Sequence, residues 1–417
     1  MNLAEELKAR GLIEQSSAPI EEILSKPRVA YHGVDPTADS LHIGHLVPLL
    51  LMKRLGDAGH KLIFLVGGGT GMIGDPKEKG ERAMLDEKTV AKNAHAIEKQ
   101  LKRIFGGTKF TMVDNASWLM KAKLVPFLRD IGKHFTVNDL IKRELIAKRL
   151  AAPDESISYT EFTYALLQGL DFLTLHEEFG ADLQVGGSEQ WTNMLSGADL
   201  IRKKAGAQAY VLSIPLVTDS TGKKFGKSEG NAIWLDAKKT SPFLFYQFWL
   251  QLPDDGIEKY LNAYTFLAAE QIQGIMAQHN ADRGARGAQE TLASQVTELV
   301  HGPAAAAAAA AATDALFGTT PFHELSSEAR AAALAEAPSL KIPKKNLTAG
   351  VSLAEALVSG GIASSKNEAR RLIEQKAITL AGLPIQNADQ KIYEADLPGG
   401  FALIRKGKRD VLVLAAR

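Results

Sequence analysis

Short apolar runs alternate with helical patterns through the first half of the chain. Five runs have the length and composition of buried strands and end near glycine or polar residues, at 28–34, 61–66, 110–114, 181–186 and 209–218. Helical periodicity follows at 45–55 and 88–104. Strands that alternate with helices predict an α/β fold, with a Rossmann-like parallel sheet. Ligands are then expected at the carboxyl ends of the strands.

The second half of the chain has a different pattern. Residues 242–317 have helical character and include nine consecutive alanines, which follow Pro303 and precede Gly318. Proline at a helix start and glycine after its end predict a packed structural helix there. Residues 353–359 and a segment opening at Ser365 form a helix–turn–helix pattern, with short strands near 378 and 401. This part predicts a small α+β domain.

These patterns predict a division of the chain into five segments. We expect a Rossmann-like domain at 1–217 with an inserted helical region, a linking segment at 218–243 and an α-helical domain at 244–329. Turn residues and a Lys-Ile-Pro-Lys-Lys stretch predict a linker at 330–348, and the small α+β domain then occupies 349–417.

Composition excludes several classes of protein. The 417 residues are 45% hydrophobic and 23% charged, as in ordinary globular proteins. No run approaches the roughly 18 apolar residues of a membrane helix. The chain has no cysteine, which removes disulfides, thiolate metal sites and cysteine nucleophiles and fits a reducing compartment.

The net charge of +1 conceals an asymmetry between the two ends of the chain. Residues 341–417 carry 13 basic against 7 acidic residues, whereas the rest of the chain has an acidic excess. A basic terminal module suggests a polyanionic partner, although a solvated basic face remains an alternative.

Two glycine patterns imitate nucleotide-binding motifs. Residues 69–74 match the dinucleotide fingerprint, but Asp75-Pro76 stands where its helix should continue, and no strand ending in an acid follows. Residues 222–228 are one residue short of a P-loop and run into Glu-Gly-Asn instead of a helix. Neither context supports the motif.

The sequence His42-Ile-Gly-His45 opens the helix that follows the first strand. Exposed N–H groups and the macrodipole favour phosphate at such a position, and Gly44 permits close approach. Both imidazoles can donate hydrogen bonds to phosphate or ribose oxygens. A pair of satisfied surface histidines is the alternative. A metal site lacks a third ligand at suitable spacing, so we predict none.

Three polar residues recur on one face of a later helix. Tyr164, Gln168 and Asp171 stand at positions i, i+4 and i+7. This face either lines a polar pocket or forms a partly exposed amphipathic surface.

Three motifs together resemble class I aminoacyl-tRNA synthetases, and most closely the bacterial-type tyrosyl-tRNA synthetases. They are residues 35–45 (Asp-Pro-Thr-Ala-Asp-Ser-Leu-His-Ile-Gly-His), residues 224–228 (Lys-Phe-Gly-Lys-Ser) and residues 186–191 (Gly-Gly-Ser-Glu-Gln-Trp). The resemblance covers nearly the whole chain, and the C-terminal module resembles an S4-type RNA-binding domain.

The resemblance implies a role for each matching residue on the ATP side. Thr37 and His42 would hold the γ-phosphate end of ATP, and His45 would contact the nucleotide. Four cations would approach the pyrophosphate, namely Lys79, Arg82, Lys224 and Lys227; solvated loop charge is their alternative. The nucleotide side would be lined by His32, Gly33, Asp35, Gly44, Gly187 and Glu189. Glu189 and His32 depart from the Asp and Cys that are common in this family, which leaves their ribose contacts open.

The same resemblance implies a tyrosine pocket. Asp75, Tyr164 and Gln168 match the residues that bind the substrate ammonium, and Gln190 lies near the carboxylate and the reacting phosphate. Tyr31 and Asp171 match the pair that hydrogen-bonds the tyrosine hydroxyl. Phenylalanine would leave this pair desolvated and unpaired, at a cost of about 1–3 kcal/mol for each group.

We therefore expect a ligase that converts tyrosine and ATP into tyrosyl-adenylate and pyrophosphate, and then charges tRNA(Tyr). Mg²⁺ would accompany ATP, and the family implies a cytoplasmic homodimer without a membrane segment. Tail contacts to RNA are expected from Lys366, Arg370 and Arg371 and from the basic hairpin candidate at 405–409. Two rivals remain: a noncatalytic RNA-binding descendant of such a ligase, and an NAD-linked oxidoreductase based on residues 69–74.

Overall fold

The computed structural model describes residues 2–76, 85–218, 225, 227–228, 231–385, 387, 389–407 and 410–417, with only the backbone at 144, 227, 228 and 231. The chain forms two compact units. Unit 1 comprises Met1–Asp236 and Asp254–Met276, and unit 2 comprises Ala237–Pro253 and Ala277–Arg417. No helix in the described part of the chain is long and apolar enough to cross a bilayer.

The described residues form α-helices and β-strands in the following order. The helices are α1 (Leu3–Ala9), α2 (Ile20–Ile23), α3 (Leu46–Asp57), α4 (Glu87–Phe105), α5 (Ala116–Leu119), α6 (Leu124–Asp130), α7 (Val137–Leu140), α8 (Glu144–Ala151), α9 (Tyr159–Phe179), α10 (Trp191–Ala205), α11 (Pro242–Leu250), α12 (Ile257–Tyr264), α13 (Ala269–Ala281), α14 (Gly287–His301), α15 (Pro303–Phe317), α16 (Ser327–Glu336), α17 (Lys344–Ala349), α18 (Leu353–Ser359) and α19 (Lys366–Glu374). The strands are β1 (Gln15–Ser16), β2 (Val29–Val34), β3 (Lys61–Val66), β4 (Thr111–Asp114), β5 (Leu183–Gly187), β6 (Tyr210–Ile214), β7 (Lys227–Ser228), β8 (Asn231–Ala232), β9 (Ser339–Ile342), β10 (Val351–Ser352), β11 (Ile378–Leu380), β12 (Leu383–Pro384), β13 (Lys391–Ile392), β14 (Phe401–Lys406) and β15 (Asp410–Ala416).

Unit 1 is built on a six-stranded sheet in the order β1-β6-β5-β2-β3-β4. All five strands predicted from the sequence are present and pair in parallel, and only the two-residue edge strand β1 runs antiparallel. Side chains of β3 alternate between the two faces, because successive Cβ atoms of a strand point to opposite sides. Ile63 and Leu65 pack in the cluster that includes Phe172 of α9, while Phe64 packs on Phe105 of α4 at 4.9 Å between ring centroids. Both faces are thus buried, which explains the continuous apolar runs.

The strand order reverses direction between β2 and β5. From β2 the chain adds β3 and β4 on one side, and β5 and β6 lie on the other side. A crevice forms at such a switch point, outside the carboxyl ends of the strands. The inserted helical region predicted within this domain corresponds to α5–α8, which lie between β4 and α9.

The alanine tract of unit 2 forms the predicted helix. Helix α15 begins at Pro303 and ends at Phe317, just before Gly318. Its buried positions include Ala306, Ala309 and Ala312. The small side chains allow close approach of neighbouring helices, and α15 packs against α11, α14 and α16. The interpretation as a packed structural helix is confirmed.

The C-terminal residues of unit 2 form a five-stranded sheet in the order β12-β11-β14-β15-β9. Helices α18 and α19 form the predicted helix–turn–helix. The Ser365 side chain caps α19 by accepting a hydrogen bond from the Glu368 N–H. Strands β14 and β15 form the predicted hairpin, although Lys408 and Arg409 at its tip lie outside the described residues.

The structure corrects the prediction of a linker at 330–348. This stretch contains the end of α16, strand β9 and the start of α17, and β9 pairs in parallel with β15. A four-residue edge strand is too short for its pattern to stand out between turn residues, so the pairing with a distant strand decides its conformation. The five-segment division itself stays a prediction.

Candidate active site

Polar side chains collect where four parallel strands of unit 1 end. Asp35 follows β2, Thr70 lies after β3, Asn115 follows β4, and the turn Ser188–Gln190 follows β5. The geometry agrees with the expectation that a ligand site lies at the carboxyl ends of the strands.

A continuous hydrogen-bond network joins these strand ends to helix α9. The Tyr164 hydroxyl donates to Asp35 Oδ2 at 2.8 Å, and Thr70 Oγ1 donates to Asp35 Oδ1 at 2.8 Å. Asn115 Nδ2 donates to Thr70 Oγ1 at 3.0 Å and to Asp171 Oδ2 at 2.9 Å. Both Tyr164 and Asp171 therefore point from α9 toward the sheet and are buried, whereas Gln168 on the same face is half-buried.

Asp171 is a buried carboxylate held by donors on both oxygens. Trp118 Nε1 donates to Oδ1 at 2.8 Å, opposite the bond from Asn115. Burial raises the pKa of Asp171 to about 7, although the two hydrogen bonds pull it down and the charge of Asp35 adds to the rise. Asn115 and Trp118 were missed by the sequence interpretation. Their position directly after the predicted strand 110–114 is the signal that could have found them.

Tyr31 lies beside Asp171. Its ring packs against Phe172, the next residue of α9, at 4.9 Å between centroids. Its hydroxyl is buried and makes no hydrogen bond among the described residues. Burial and the neighbouring charge of Asp171 raise the pKa of this hydroxyl well above its usual value. Gln168 Oε1 is likewise buried without a partner among the described residues. Buried polar atoms nearly always have a partner in folded proteins, and a bound ligand or water can supply one.

A second chain of hydrogen bonds runs along the edge of α10. Gln190 Nε2 donates to Asp75 Oδ2 at 2.8 Å, and Asn193 Nδ2 donates to Gln190 Oε1 at 3.2 Å. Arg143 donates to the side chains of Asn193 and of Ser196. The structure thus joins two predicted site residues, Asp75 and Gln190, and fixes the orientation of the Gln190 amide.

His42 and His45 form a compact turn before α3. His42 Nδ1 accepts from the Gly44 N–H at 3.1 Å, and His45 Nδ1 accepts from the His42 N–H at 3.2 Å. Since both Nδ1 atoms act as acceptors, each neutral ring carries its proton on Nε2, which becomes the donor. The rings lie 4.0 Å apart. This arrangement places two imidazoles at a helix N-terminus, where backbone N–H groups and the macrodipole favour phosphate.

The segment after the lysine motif pairs with this histidine turn. The Ile43 N–H donates to the Ile233 carbonyl at 3.0 Å, and the Leu235 N–H donates to the Leu41 carbonyl at 2.8 Å. Between them, His42 and Trp234 form a β-bridge. Two motifs that are about 180 residues apart in sequence are therefore adjacent in unit 1.

His32, on β2, donates through Nδ1 to the Val185 carbonyl at 2.8 Å. Burial lowers the pKa of this imidazole. A neutral ring that donates through Nδ1 keeps Nε2 as an acceptor, which is suited to a hydroxyl group.

The remaining predicted residues on the nucleotide side lie on the same strand ends. Gly33 is on β2, and Gly187 is the last residue of β5. Glu189 is exposed in the following turn, and a Cβ on Gly187 would lie 2.3 Å from its Oε2. The Thr37 N–H donates to the Asp35 carbonyl at 2.8 Å.

Three of the predicted cations lie outside the described residues: Lys79, Arg82 and Lys224. The backbone of Lys227 is described, in β7. In the tail, Lys366 forms an ion pair with Glu355 at 2.7 Å, and Arg370 forms one with Asp389 at 3.3 Å. Among the residues that the structure describes, no three His, Asp or Glu side chains are grouped to hold a metal ion.

Comparison with known proteins identifies the family. The family model "tRNA synthetases class I (W and Y)" matches residues 25–318, and the model "Tyrosine--tRNA ligase SYY-like C-terminal domain" matches residues 331–414. The tyrosine–tRNA ligase of Lactococcus lactis subsp. cremoris (strain SK11) is 45% identical, over 99% of this chain and 100% of that protein. Tyrosine–tRNA ligase 1 of Vibrio parahaemolyticus is 42% identical, over 98% and 97%.

Solved structures give the same result. The C-terminally truncated mitochondrial tyrosyl-tRNA synthetase of Aspergillus nidulans matches with a TM-score of 0.67 and 31% identity, over 74% of this chain and 92% of that one. A tryptophanyl-tRNA synthetase from Encephalitozoon cuniculi shares the fold, with a TM-score of 0.54 at 15% identity, over 72% of this chain and 86% of that one.

The fold and the matching family model define a class I aminoacyl-tRNA synthetase of the tryptophan and tyrosine group. Within that group, the chain belongs to the tyrosine–tRNA ligase family.

Proposed function

We propose that this chain is an ATP-dependent tyrosine–tRNA ligase that works through the residues at the strand ends of unit 1. In the first step, the tyrosine carboxylate attacks the α-phosphorus of ATP, the bond to the β-phosphate breaks, and pyrophosphate leaves. In the second step, a 3′-terminal ribose hydroxyl of the tRNA attacks the carbonyl of tyrosyl-adenylate, and AMP leaves. The observation that carries the proposal is the buried hydroxyl of Tyr31, which has no partner among the described residues, beside the carboxylate of Asp171.

Tyrosine is selected by the polar pair at the end of its ring. The substrate hydroxyl donates to Asp171 and pairs with the Tyr31 hydroxyl, which completes the bonding of a buried group. Asp75, Tyr164 and Gln168 bind the substrate ammonium, which supplies the partner that Gln168 Oε1 otherwise lacks among the described residues. Gln190, held by Asp75 and Asn193, faces the carboxylate and the reacting phosphate. The two ends of the amino acid are therefore recognised by groups fixed before it binds.

ATP activation depends on charge stabilisation, because the nucleophile is the substrate's own carboxylate. Negative charge develops on the pentavalent phosphate and on the departing pyrophosphate, so fixed donors there lower the barrier. The Nε2 protons of His42 and His45 supply such donors, with Thr37 on the γ-phosphate. His32, Gly33, Asp35, Gly44, Gly187 and Glu189 line the nucleotide. The side chains of Lys79, Arg82, Lys224 and Lys227 neutralise pyrophosphate, and Mg²⁺ enters bound to ATP.

The test of this function is tyrosine-dependent exchange of pyrophosphate into ATP. We expect exchange with tyrosine, and a large loss of preference for tyrosine over phenylalanine in Tyr31→Phe and in Asp171→Leu. Phe317→Leu, a conservative change at a partly exposed position in unit 2, is the control and should exchange like the parent. A folded protein that shows no tyrosine-dependent exchange would reject the proposal.

The tRNA is the acceptor, and we assign part of its binding to α19. Lys366, Arg370 and Arg371 are exposed on this helix, and the ion pairs of the first two are exposed and weak enough to exchange for phosphate. Helix and loop cations suit contacts with the backbone of structured RNA.

Replacing these three cations by alanine should leave pyrophosphate exchange unchanged and raise the KM for tRNA. The slope of the logarithm of the tRNA binding constant against the logarithm of salt concentration should become shallower. The expected change is about 0.7–0.9 for each phosphate that is no longer neutralised. A matched control removes three exposed cations of α4, at Lys99, Lys102 and Arg103. Equal effects from both triple variants would show a general charge effect and contradict the assignment to α19.

We further propose a homodimer in the cytoplasm. The helices between β4 and α9 expose an unusual number of large apolar side chains: Met120 at 62%, Leu124 at 71%, Val125 at 72%, Val137 at 62% and Leu150 at 56%. Exposed apolar surface that is concentrated in one region is typical of a protein–protein interface. A second copy of this chain is the occupant that fits, since an isologous interface needs only one such surface.

A further inference from the structure

Helix α12 packs against the lysine motif and is anchored to α3, the helix that follows the histidine turn. Its Tyr260 stacks on Phe225, the apolar residue of the lysine motif, with ring centroids 4.5 Å apart and an angle of 22° between the planes. Tyr264, one turn further along α12, lies 5.9 Å from the same ring. All three rings are at least 95% buried. Phe225 is therefore held inside unit 1 by aromatic packing.

Tyr260 also forms a hydrogen bond to the chain segment that precedes Phe225. Its hydroxyl donates to the Thr218 carbonyl at 3.2 Å, and the Phe225 N–H donates to the Val217 carbonyl at 2.9 Å. One side chain of α12 thus contacts residues 218 and 225 at once. This arrangement fixes both points of the chain relative to α12.

The backbone of Phe225 lies close to the histidine turn. A Cβ on Gly44 would be 3.8 Å from the Phe225 carbonyl oxygen and 2.8 Å from His42 Cε1. A side chain at position 44 would therefore crowd the His42 imidazole, while the Phe225 carbonyl lies at ordinary contact distance from the turn. The position of Phe225 consequently influences how close the motif can come to His42.

Helix α12 is itself anchored to α1 and α3. Arg54 on α3 donates to the Thr265 carbonyl at the end of α12 at 2.5 Å, and Arg10 donates to the Asn262 carbonyl at 3.3 Å. Glu6 accepts from Arg10 at 2.7 Å and from Arg54 at 3.3 Å. Since α3 is the helix that the histidine turn opens, α12 has a fixed position relative to that turn.

Lys227 follows Phe225 by two residues. Its backbone forms β7, which pairs with β8, and the chain then pairs with the histidine turn through Ile233 and Leu235. Two residues of extended chain span only about 7 Å. The position of Phe225 therefore restricts where Lys227 can stand.

We propose that Tyr260 is a positioning residue for adenylate formation: its ring holds Phe225 and thereby places Lys227 relative to the His42–His45 turn. This inference rests on the proposed function, in which Lys227 neutralises pyrophosphate. Tyr260 itself contacts no substrate in this scheme. Its contribution is made entirely through the lysine motif.

The proposal predicts a specific kinetic pattern in pyrophosphate exchange. Tyr260→Ala removes the ring that holds Phe225 and should lower kcat about tenfold. The KM for tyrosine should not change, because the tyrosine pocket is built on β2 and α9. Tyr260→Phe keeps the stacked ring and should restore most of kcat.

A double-variant cycle separates positioning from general damage. If Tyr260 acts through Lys227, then Tyr260→Ala should cost little in a chain that already carries Lys227→Ala. Leu261→Ala is the matched control, because Leu261 is a fully buried neighbour on the same helix. It should lower the free energy of unfolding without lowering kcat.

Three outcomes would overturn the positioning role: additive losses in the double variant, an equal loss of kcat in Leu261→Ala, or full activity of Lys227→Ala alone. Absence of exchange in the unaltered protein would instead reject the proposed function. The two failures are therefore distinguishable in one set of assays.

Discussion

Asp171 shows how the site prepares a single residue for recognition. It is a carboxyl group at 2% exposure, and Asn115 and Trp118 each donate to one of its oxygens. Burial opposes its ionisation and these bonds support it, with a pKa of about 7 as the balance. Its protonation therefore changes within the physiological range. Only the ionised form can accept from both donors and also from a substrate hydroxyl without losing a bond.

We expect the preference for tyrosine over phenylalanine to depend on pH. The ratio of kcat/KM for the two substrates should be constant above about pH 7 and fall below it, since protonation of Asp171 removes an acceptor that only tyrosine uses. The ratio cancels the titration of groups that act on ATP, such as the histidines. Measurement of both substrates between about pH 5.5 and pH 8 tests this, and a ratio that does not vary would contradict it.

The same carboxyl group makes a contribution to stability with a definite sign. A folded pKa above the unfolded value of 3.8 means that the stabilisation is complete below about pH 4 and is lost as pH rises through about 7. Relative to the parent, Asp171→Asn should therefore gain stability between about pH 5 and pH 8, by on the order of 3 kcal/mol. Urea unfolding of the parent and of the variant, each at about pH 5 and about pH 8, measures this gain.

At the scale of elements, the position of α9 determines where the proposed tyrosine pocket lies. This helix carries Tyr164, Gln168 and Asp171, and it begins with a capping box in which Ser158 and Glu161 bond each other's backbone N–H. Glu161 also forms a buried ion pair with Arg149 of α8 at 2.6 Å, with both side chains at 4% exposure or less. The first turn of α9 is thus tied to the preceding helix.

Breaking this pair from one side should destabilise the protein. Glu161→Leu leaves the guanidinium of Arg149 buried without its main partner, and we expect a loss of about 3 kcal/mol in the free energy of unfolding. Arg149→Met combined with Glu161→Leu removes both charges and should recover much of the loss. If the double variant is no more stable than Glu161→Leu alone, the loss comes from the cap of α9 and not from the ion pair.

At the scale of the whole molecule, two regions of the chain carry different surfaces. The helices α5–α8 of unit 1 expose apolar side chains, whereas the C-terminal part of unit 2 is basic. We propose a second copy of the chain as the partner of the first surface and RNA as the partner of the second. Association and tRNA binding should therefore respond to different substitutions.

Val125→Glu should convert the proposed dimer into a monomer, because a charge in an apolar interface is desolvated without a partner. Leu383→Glu is a matched control, since Leu383 in the C-terminal sheet is equally exposed at 72%. The mass in solution, from light scattering after size-exclusion chromatography, should fall by half in the first variant only. Dissociation by both variants, or by neither, would contradict the assignment of this surface.

Much of this protein follows from local sequence. The parallel sheet, the histidine turn before α3 and the alanine helix were predictable, because apolar periodicity, proline and glycine act within a few residues. The motifs at 35–45, 186–191 and 224–228 identified the family, because each of them is also contained within a few consecutive residues. Residues without a local pattern were missed, such as Asn115 and Trp118, whose role arises only from their bonds to Asp171, more than fifty positions away.

Tertiary structure decided what depends on distant partners. Strand β9 forms because β15 is beside it, against the local signal for a linker. Tyr164 and Asp171 of α9 form a buried polar network because Asp35 and Asn115 meet them there, and burial is the main cause of the raised pKa of Asp171. The stack of Tyr260 on Phe225 likewise has no trace in either segment. Sequence thus determined the elements and the chemistry they carry, while packing determined which groups lose water and which groups face one another.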